Sequence, residues 1–570
     1  MAITSTLPVT TSSFKIGVEQ NDLTTDCSAA LQELLDIHTH IVIDTIINLA
    51  KPVATKFQAQ ILEGAYGGNL RPITANMADK VMVALAHQHC RMQYVTSTNP
   101  QLLKANKGGR QGTVDLRADY CVVDNCTMIN QLNAVTATSQ YRAHGSRVTD
   151  NRFLECLGAA DGDKTGEDRG DAVTLWGSGS VIMGNFASCK AGEDARLAFH
   201  AEAPVSGEDT RPEFKAQQIL MVDNMAYGTF RRHFVMEGIS HGVMMGNVSL
   251  GGATWWCEAL IMCTNVITQN TLKYTRTKND NQGGNWAPKR GAIACVNYNT
   301  NCVIRSNVLM AKDSVGSGFV MPKASNFTNK HGVTLEVSME NQGDAANYGF
   351  QLEEPNELLL SSCKSKGFSR IISTTTNGAT NIQVTNCTLV SNGTGNVVYC
   401  KSGTGGKITL SNSVIDGTAG DAKVFDIANL DVFVVNNCGV GGKDFFGDIA
   451  GIRNQFSVTG NYNMGTTGTL QLRYGGKTAL TDIPTGIEWF VDANSGISSA
   501  FCWGIAQLEQ KASALNSRGK TLGMVVATWE KRSTGTGEDK RDGVRLYYAT
   551  STDPTSPWVC VDNSRIITPA

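Results

Sequence analysis

The chain has no long apolar run, no excess of either charge and no closely spaced cysteine pair. None of its apolar stretches approaches the roughly 18–20 residues of a membrane-spanning helix, so no membrane insertion is expected. Its 49 basic residues against 51 acidic ones give no field that would attract nucleic acid or an anionic lipid surface. Residues 1–16 lack a basic segment followed by an apolar one, so no secretory leader is expected. Proline is scarce, 13 residues against 58 glycines, which suits many tight turns and no disordered linker. Sixteen cysteines would suit a disulfide framework, but no CxxC spacing occurs. Cys257, Cys263, Cys295, Cys387 and Cys400 lie in or beside apolar runs and read as small hydrophobes. Free, buried thiols in a chain folded in a reducing compartment are expected, rather than disulfides or metal ligands.

At 570 residues the chain is long for one ordinary domain but suits one repeat domain with small ends. A short strand ending in asparagine recurs: VIMGN at 181–185, VMMGN at 243–247, VITQN at 266–270 and VIRSN at 303–307. It continues as IQVTN at 382–386, ITLSN at 408–412, VFVVN at 432–436 and VTGN at 458–461, so the later asparagines fall 26, 24 and 25 residues apart. Such a period marks stacked units that bury a core only against their neighbours. Asparagine after a strand tolerates the left-handed backbone of a tight corner, and stacked asparagines can hydrogen-bond in a ladder. No helical periodicity or leucine framework accompanies the repeat. The expected fold is therefore all-β, a right-handed parallel β-helix over 41–463. Residues 1–40 would hold a terminal segment and a capping helix at Asp26–Asp36, with Leu31, Leu34 and Leu35 on one side, covering the first open rung. Residues 464–570 would form a small β-rich domain.

A second motif alternates with the first: AVTLW at 172–176, AFHAE at 198–202, HFVME at 233–237 and ALIMC at 259–263. Further copies are AIACV at 292–296, GFVMP at 318–322 and GFQLE at 349–353. Its second and fourth positions are apolar and face inward. The fifth position then faces out and carries Trp176, Glu202 and Glu237, while the third carries Thr174 and His200. Rungs lie about 4.8 Å apart, so Glu202 and Glu237 would be stacked neighbours sharing a face with Arg196, His200 and Arg231. Two close carboxylates push one pKa upward, and a protonated and an ionised carboxylate together can cut a glycosidic bond. The arginines, with Arg290, could take the carboxylate of an acidic sugar. An alternative is that the two glutamates form exposed salt bridges with Arg196 and Arg231.

The longest interruptions of the period fall on these rungs and place loops at 206–211 and 274–286. Tyr274 and Trp286, with Trp255 and Trp256, could stack on sugar rings or pack the loops. An acidic loop at 161–171 is read as solvated charge, since it lacks the spacing of a cation loop. His38 with His40 and His87 with His89 have no third ligand nearby, so no metal or cofactor is expected.

The opening NDLTTDCSAAL at 21–31 resembles the capping helix of phage tailspikes and pectate-lyase-like proteins. GDAVTLWG, AGEDARLAFHAE, GTFRRHFVMEG and KYTRTKNDNQGGNWAPKRGAI are similar to capsule-specific tailspike depolymerases, and the final YYATSTDPTSPWVCVDNSRIITPA to the ends of phage tail fibres and spikes. The resemblance covers most of the chain. It implies a homotrimer in the virion tail that binds bacterial surface polysaccharide and cleaves it with carboxylates. These would be Glu202 and Glu237, with Asp171 and Asp194 in reserve. Tailspikes usually begin with a sizeable virion-binding domain, whereas about 20 residues precede the helix here; docking through a short peptide, docking through a tail or baseplate adaptor, or trimming of the chain would each account for this. Glycoside hydrolysis is the preferred activity. A lyase would instead use His200, His233 or Tyr274 as base, and an adhesin of the same fold would bind without cutting.

Overall fold

The computed structural model describes residues 16–105, 110–137, 140–158, 170–193, 195–203, 216–276, 290–322, 332–353, 357–375, 380–420 and 422–464, with shorter stretches of 488–570. The chain divides into two compact units, Met1–Glu202 and Ala203–Ala570.

The first unit is a parallel β-helix whose rungs contribute three strands each. One column stacks His40–Ile43, Ile61–Gly64, Arg91–Gln93, Val122–Asp124, Arg147–Thr149 and Val181–Met183, all parallel. A second stacks Ile46–Leu49 through Phe186–Cys189. The third runs from Val53–Ala54 through Gly112–Leu116, Asn133–Ala137 and Asp171–Leu175 to Leu197–Glu202. Its inward line Val83, Val114, Val135, Val173 and Phe199 is fully buried. The helix Ser28–Ile37 buries Leu31 and Leu35 and leaves Leu34 half-buried. Gln32 donates to the Ala54 carbonyl at 3.0 Å and accepts from the Ala54 amide at 2.9 Å, occupying the edge of the first strand in the third column. A lone strand edge would otherwise present those groups to another chain.

The second unit repeats the plan. Parallel columns run from Leu220–Val222 to Gln455–Thr459 and from Arg232–Glu237 to Asp444–Ala450. Glu488–Val491 adds one further parallel strand, so stacking continues past residue 463. A separate sheet contains Trp503–Gly504, Val525–Glu530, Gly543–Ala549, Trp558–Cys560 and Ile566–Ile567, mostly antiparallel, around buried Tyr547 and Trp558.

The recurring asparagine resolves into a two-residue corner. The first residue takes positive φ, and the second turns inward to accept or donate along the stack. Gly184-Asn185, Gly246-Asn247 and Gly460-Asn461 place asparagine second, whereas Asn386-Cys387, Asn412-Ser413 and Asn437-Cys438 place it first. In the first unit the Asn151 amide side chain donates to Asn185 Oδ1 at 3.0 Å. In the second, Asn224 donates to Asn247 and Asn247 to Asn270, each at 2.9 Å. Later rungs put Cys363, Cys387, Ser413 and Cys438 at the inward site, which accounts for three of the cysteines. All fifteen cysteines among the described residues are free, and all but Cys189 are buried.

Candidate functional site

On the first unit the outer face of the third column carries a line of polar side chains, Asp115, Thr136, Thr174 and His200, set opposite one another from rung to rung. Period-2 alternation turns these residues away from the core, and the stacking aligns them. Asp171, which opens its strand, lies beside this line and is 3% exposed. Arg196 Nε donates to Asp171 Oδ1 at 2.9 Å, Arg196 Nη2 and Thr174 Oγ1 donate to Oδ2, the latter at 2.6 Å. Burial pushes the Asp171 carboxyl up, but the Arg196 charge and these hydrogen bonds outweigh it and hold the pKa below the ordinary value. Asp171, expected as a reserve carboxylate, and Arg196, expected to meet a sugar, thus bind each other.

Glu202 ends the strand Leu197–Glu202 with its side chain 23% exposed, and its Oε2 lies 3.6 Å from Nδ1 of buried His200. Trp176, at the end of the preceding strand, is half-buried. The sequence alone did not single out Asp115, which is buried beside Arg117 with Nε at 2.8 Å from Oδ2. Asp194 lies outside the described residues.

On the second unit Glu237 ends the strand Arg232–Glu237, half-buried, and stands opposite Ile261. The expected alignment of the next strand is off by two residues: Phe234 meets Glu258, not Leu260. A two-residue slip leaves the faces unchanged but brings a carboxylate into the core. Glu258 is fully buried and accepts from Thr268 Oγ1 at 2.5 Å, Ser306 Oγ at 2.6 Å and Asn270 Nδ2 at 2.9 Å. The asparagine ladder therefore ends on it. Burial raises its pKa, and the three hydrogen bonds only partly oppose this.

Several expected sugar-binding groups are interior. His233 is fully buried, with Nε2 3.2 Å from the Gly228 carbonyl and Nδ1 2.8 Å from Ser249 Oγ. A carbonyl can only accept, so Nε2 carries the proton and Nδ1 receives the serine hydroxyl. Burial lowers the His233 pKa to about 4, and with both nitrogens engaged it is no lyase base. Tyr274 is buried and donates to the Trp255 carbonyl at 3.3 Å. Trp255 and Trp256 are buried too, and Arg231, 1% exposed, lies 5.5 Å from the Trp255 ring centre. These aromatics are buried and present no open face for a sugar to stack on. Arg290 lines a cleft of about 430 Å³ with Arg276, Asp344, Tyr348 and Gln351. Trp286 lies outside the described residues.

No family model matches the chain, and no curated protein matches it. Among solved structures it is similar to the pre-mature bacteriophage phi29 gene product 12, at 11% identity over 80% of this chain and 72% of that one, with a TM-score of 0.49. It is also similar to the receptor-binding protein of bacteriophage Det7, described as a podoviral tailspike in a myovirus. That match has 10% identity over 95% of this chain and 88% of that one, with a TM-score of 0.25. Both are phage proteins.

Proposed function

We propose that the protein is a phage tail receptor-binding spike that binds bacterial surface polysaccharide and hydrolyses it, with Glu202 and Glu237 as the acid and the nucleophile or base. The supporting observation is Glu202: partly exposed, on an outward strand position, beside a histidine, while the neighbouring Asp171 is paired with Arg196. Glu237 ends its own strand in the same way and belongs to the next copy of the motif. In this reading one carboxyl protonates the glycosidic oxygen as the bond breaks. The other attacks the anomeric carbon or activates a water to do so, depending on their separation. In this reading His200, with Nδ1 3.6 Å from Glu202 Oε2, packs beside the carboxylate and helps to position it. Binding as a homotrimer on the virion tail, through a tail or baseplate adaptor, completes the proposal.

The test is turnover of purified host capsule by wild type, Glu202→Gln and Glu237→Gln, with products analysed by mass spectrometry. Glutamine keeps the volume and removes the charge. Each change should reduce turnover at least about 100-fold, near 2.7 kcal/mol of transition-state stabilisation, with capsule binding retained. Products ending in an unsaturated uronate would replace hydrolysis by elimination, for which His200 is the remaining histidine candidate. Full turnover in both variants removes the pair from the mechanism. Sedimentation should give a mass near three times 61.1 kDa.

A further inference from the structure

We propose that the second unit carries a separate site for a sugar bearing an anionic group, centred on Arg370 between Tyr348 and Tyr399. The choice of a sugar rests on the glycan-binding reading above; the anion preference rests on the side chains. Strand stacking places Ser317, Tyr348 and Arg370 opposite one another on successive rungs, and Gln351, Ser373, Tyr399 and Asp426 in the adjacent line. The Arg370 guanidinium carbon lies 4.4 Å from the Tyr399 ring centre and 5.8 Å from that of Tyr348. Among the described residues it meets no hydrogen-bond acceptor and no carboxylate. Asp426, two rungs on, accepts from Asn396 Nδ2 at 2.9 Å.

The guanidinium is partly exposed and takes no acceptor from the described residues, so its donors can meet an acceptor from outside the chain. Here two aromatic faces hold the planar donor fork in place, which lowers the ordering cost of binding. The fork matches a carboxylate or a phosphate. Tyr348 also lines the 430 Å³ cleft that holds Arg276 and Arg290, large enough for the ring that carries the anion. On the other side Lys401 Nζ lies 5.0 Å from the Tyr399 ring. Cations thus follow one another along this face, with Asp344 as the carboxylate of the cleft.

The experiment is saturation-transfer NMR on the full chain, with competition titrations of methyl β-D-glucuronide, glucose 6-phosphate and methyl β-D-glucoside. Wild type should bind one of the two anionic probes at least about tenfold more tightly than the neutral glucoside, and the stronger arm names the anion. Arg370→Ala should abolish the preference, and Arg370→Lys should restore only part of it, since a point charge lacks the fork. Unchanged melting will show that both variants fold. Equal binding of all three probes, no binding of any, or an Arg370→Ala variant that keeps the preference overturns the proposal. Turnover is not the readout, so loss of the Glu202 and Glu237 mechanism would leave this result standing, and the reverse.

Discussion

Glu258 offers the sharpest test of the interior. It is fully buried among apolar rungs, and its three hydrogen-bond donors are neutral. The ionisable groups whose charge acts on it or is acted on by it include the buried thiols Cys257 and Cys295, both raised by burial and by Glu258 itself. Its own pKa is raised because burial outweighs the hydrogen bonds. A carboxyl raised in the folded state binds its proton more tightly there than in the unfolded chain. Its contribution is therefore fully present below the unfolded value of about 4.3 and is lost as pH rises through the folded value. Glu258→Gln removes the titration with little change of shape. The amide oxygen can take the place of Oε2, accepting from Asn270 and Ser306, while the amide nitrogen donates to Thr268 Oγ1. At pH 4 the variant should match wild type within about 1 kcal/mol, one hydrogen bond being exchanged for another. Towards pH 8 it should become the more stable protein, because an ionised carboxylate without a cation is no longer buried. Glu258→Ala should instead lose about 2–5 kcal/mol for the cavity and about 1–3 more for each donor left without an acceptor. Unfolding rates in denaturant, followed from pH 4 to pH 8, suit a long repeat protein better than a melting midpoint. A stability difference between wild type and Glu258→Gln that does not change with pH would refute the reasoning.

Asp171→Asn should behave in the opposite sense. It leaves the partly buried Arg196 without its carboxylate and should cost up to about 3–5 kcal/mol at neutral pH. Because the Asp171 pKa is lowered, that cost should shrink as pH falls below about 3.9, and denaturation across pH 2–7 would check it. The thiols should be inert: a reducing agent should leave unfolding rates unchanged, and native protein should resist alkylation at all but Cys189 among the described cysteines. A loss of about 2–5 kcal/mol on reduction would reveal a disulfide.

The solenoid was legible because its two signals are local. Alternation picks the inward residues, and asparagine marks several of the corners. What alternation cannot fix is register in steps of two, since such a slip preserves both faces. ALIMC was aligned with HFVME on its apolar second and fourth positions; the chain instead places Glu258 inward and accommodates it with hydroxyl and amide donors from Thr268, Asn270 and Ser306, which lie 10 to 48 residues away in sequence. The same limit applies to His233 and Tyr274, whose acceptors are backbone carbonyls. Arg196 and Asp171 were each read as facing a substrate, when their 25-residue separation is one rung and lets them meet each other. Arg370 gave no signal at all, because its significance lies in the two tyrosines that neighbouring rungs bring to it.

The corner pairs connect these observations. Each fixes where a strand starts, by giving the positive φ to one residue and the inward hydrogen bond to the next. Inward side chains are then constrained by stacking and outward ones are not, so an outward line can collect residues that would not tolerate one another in a core. Tyr348, Arg370 and Tyr399 come from separate rungs, yet the ladder registers of Tyr348 with Arg370 and of Ser373 with Tyr399 bring them into contact. Slippage by one residue at the Asn386-Cys387 or Asn412-Ser413 corner would turn apolar side chains out and polar ones in along its strand. The corners are therefore the part of the sequence on which any outer-face chemistry depends. Their buried bonds tie each corner to the next along the stack.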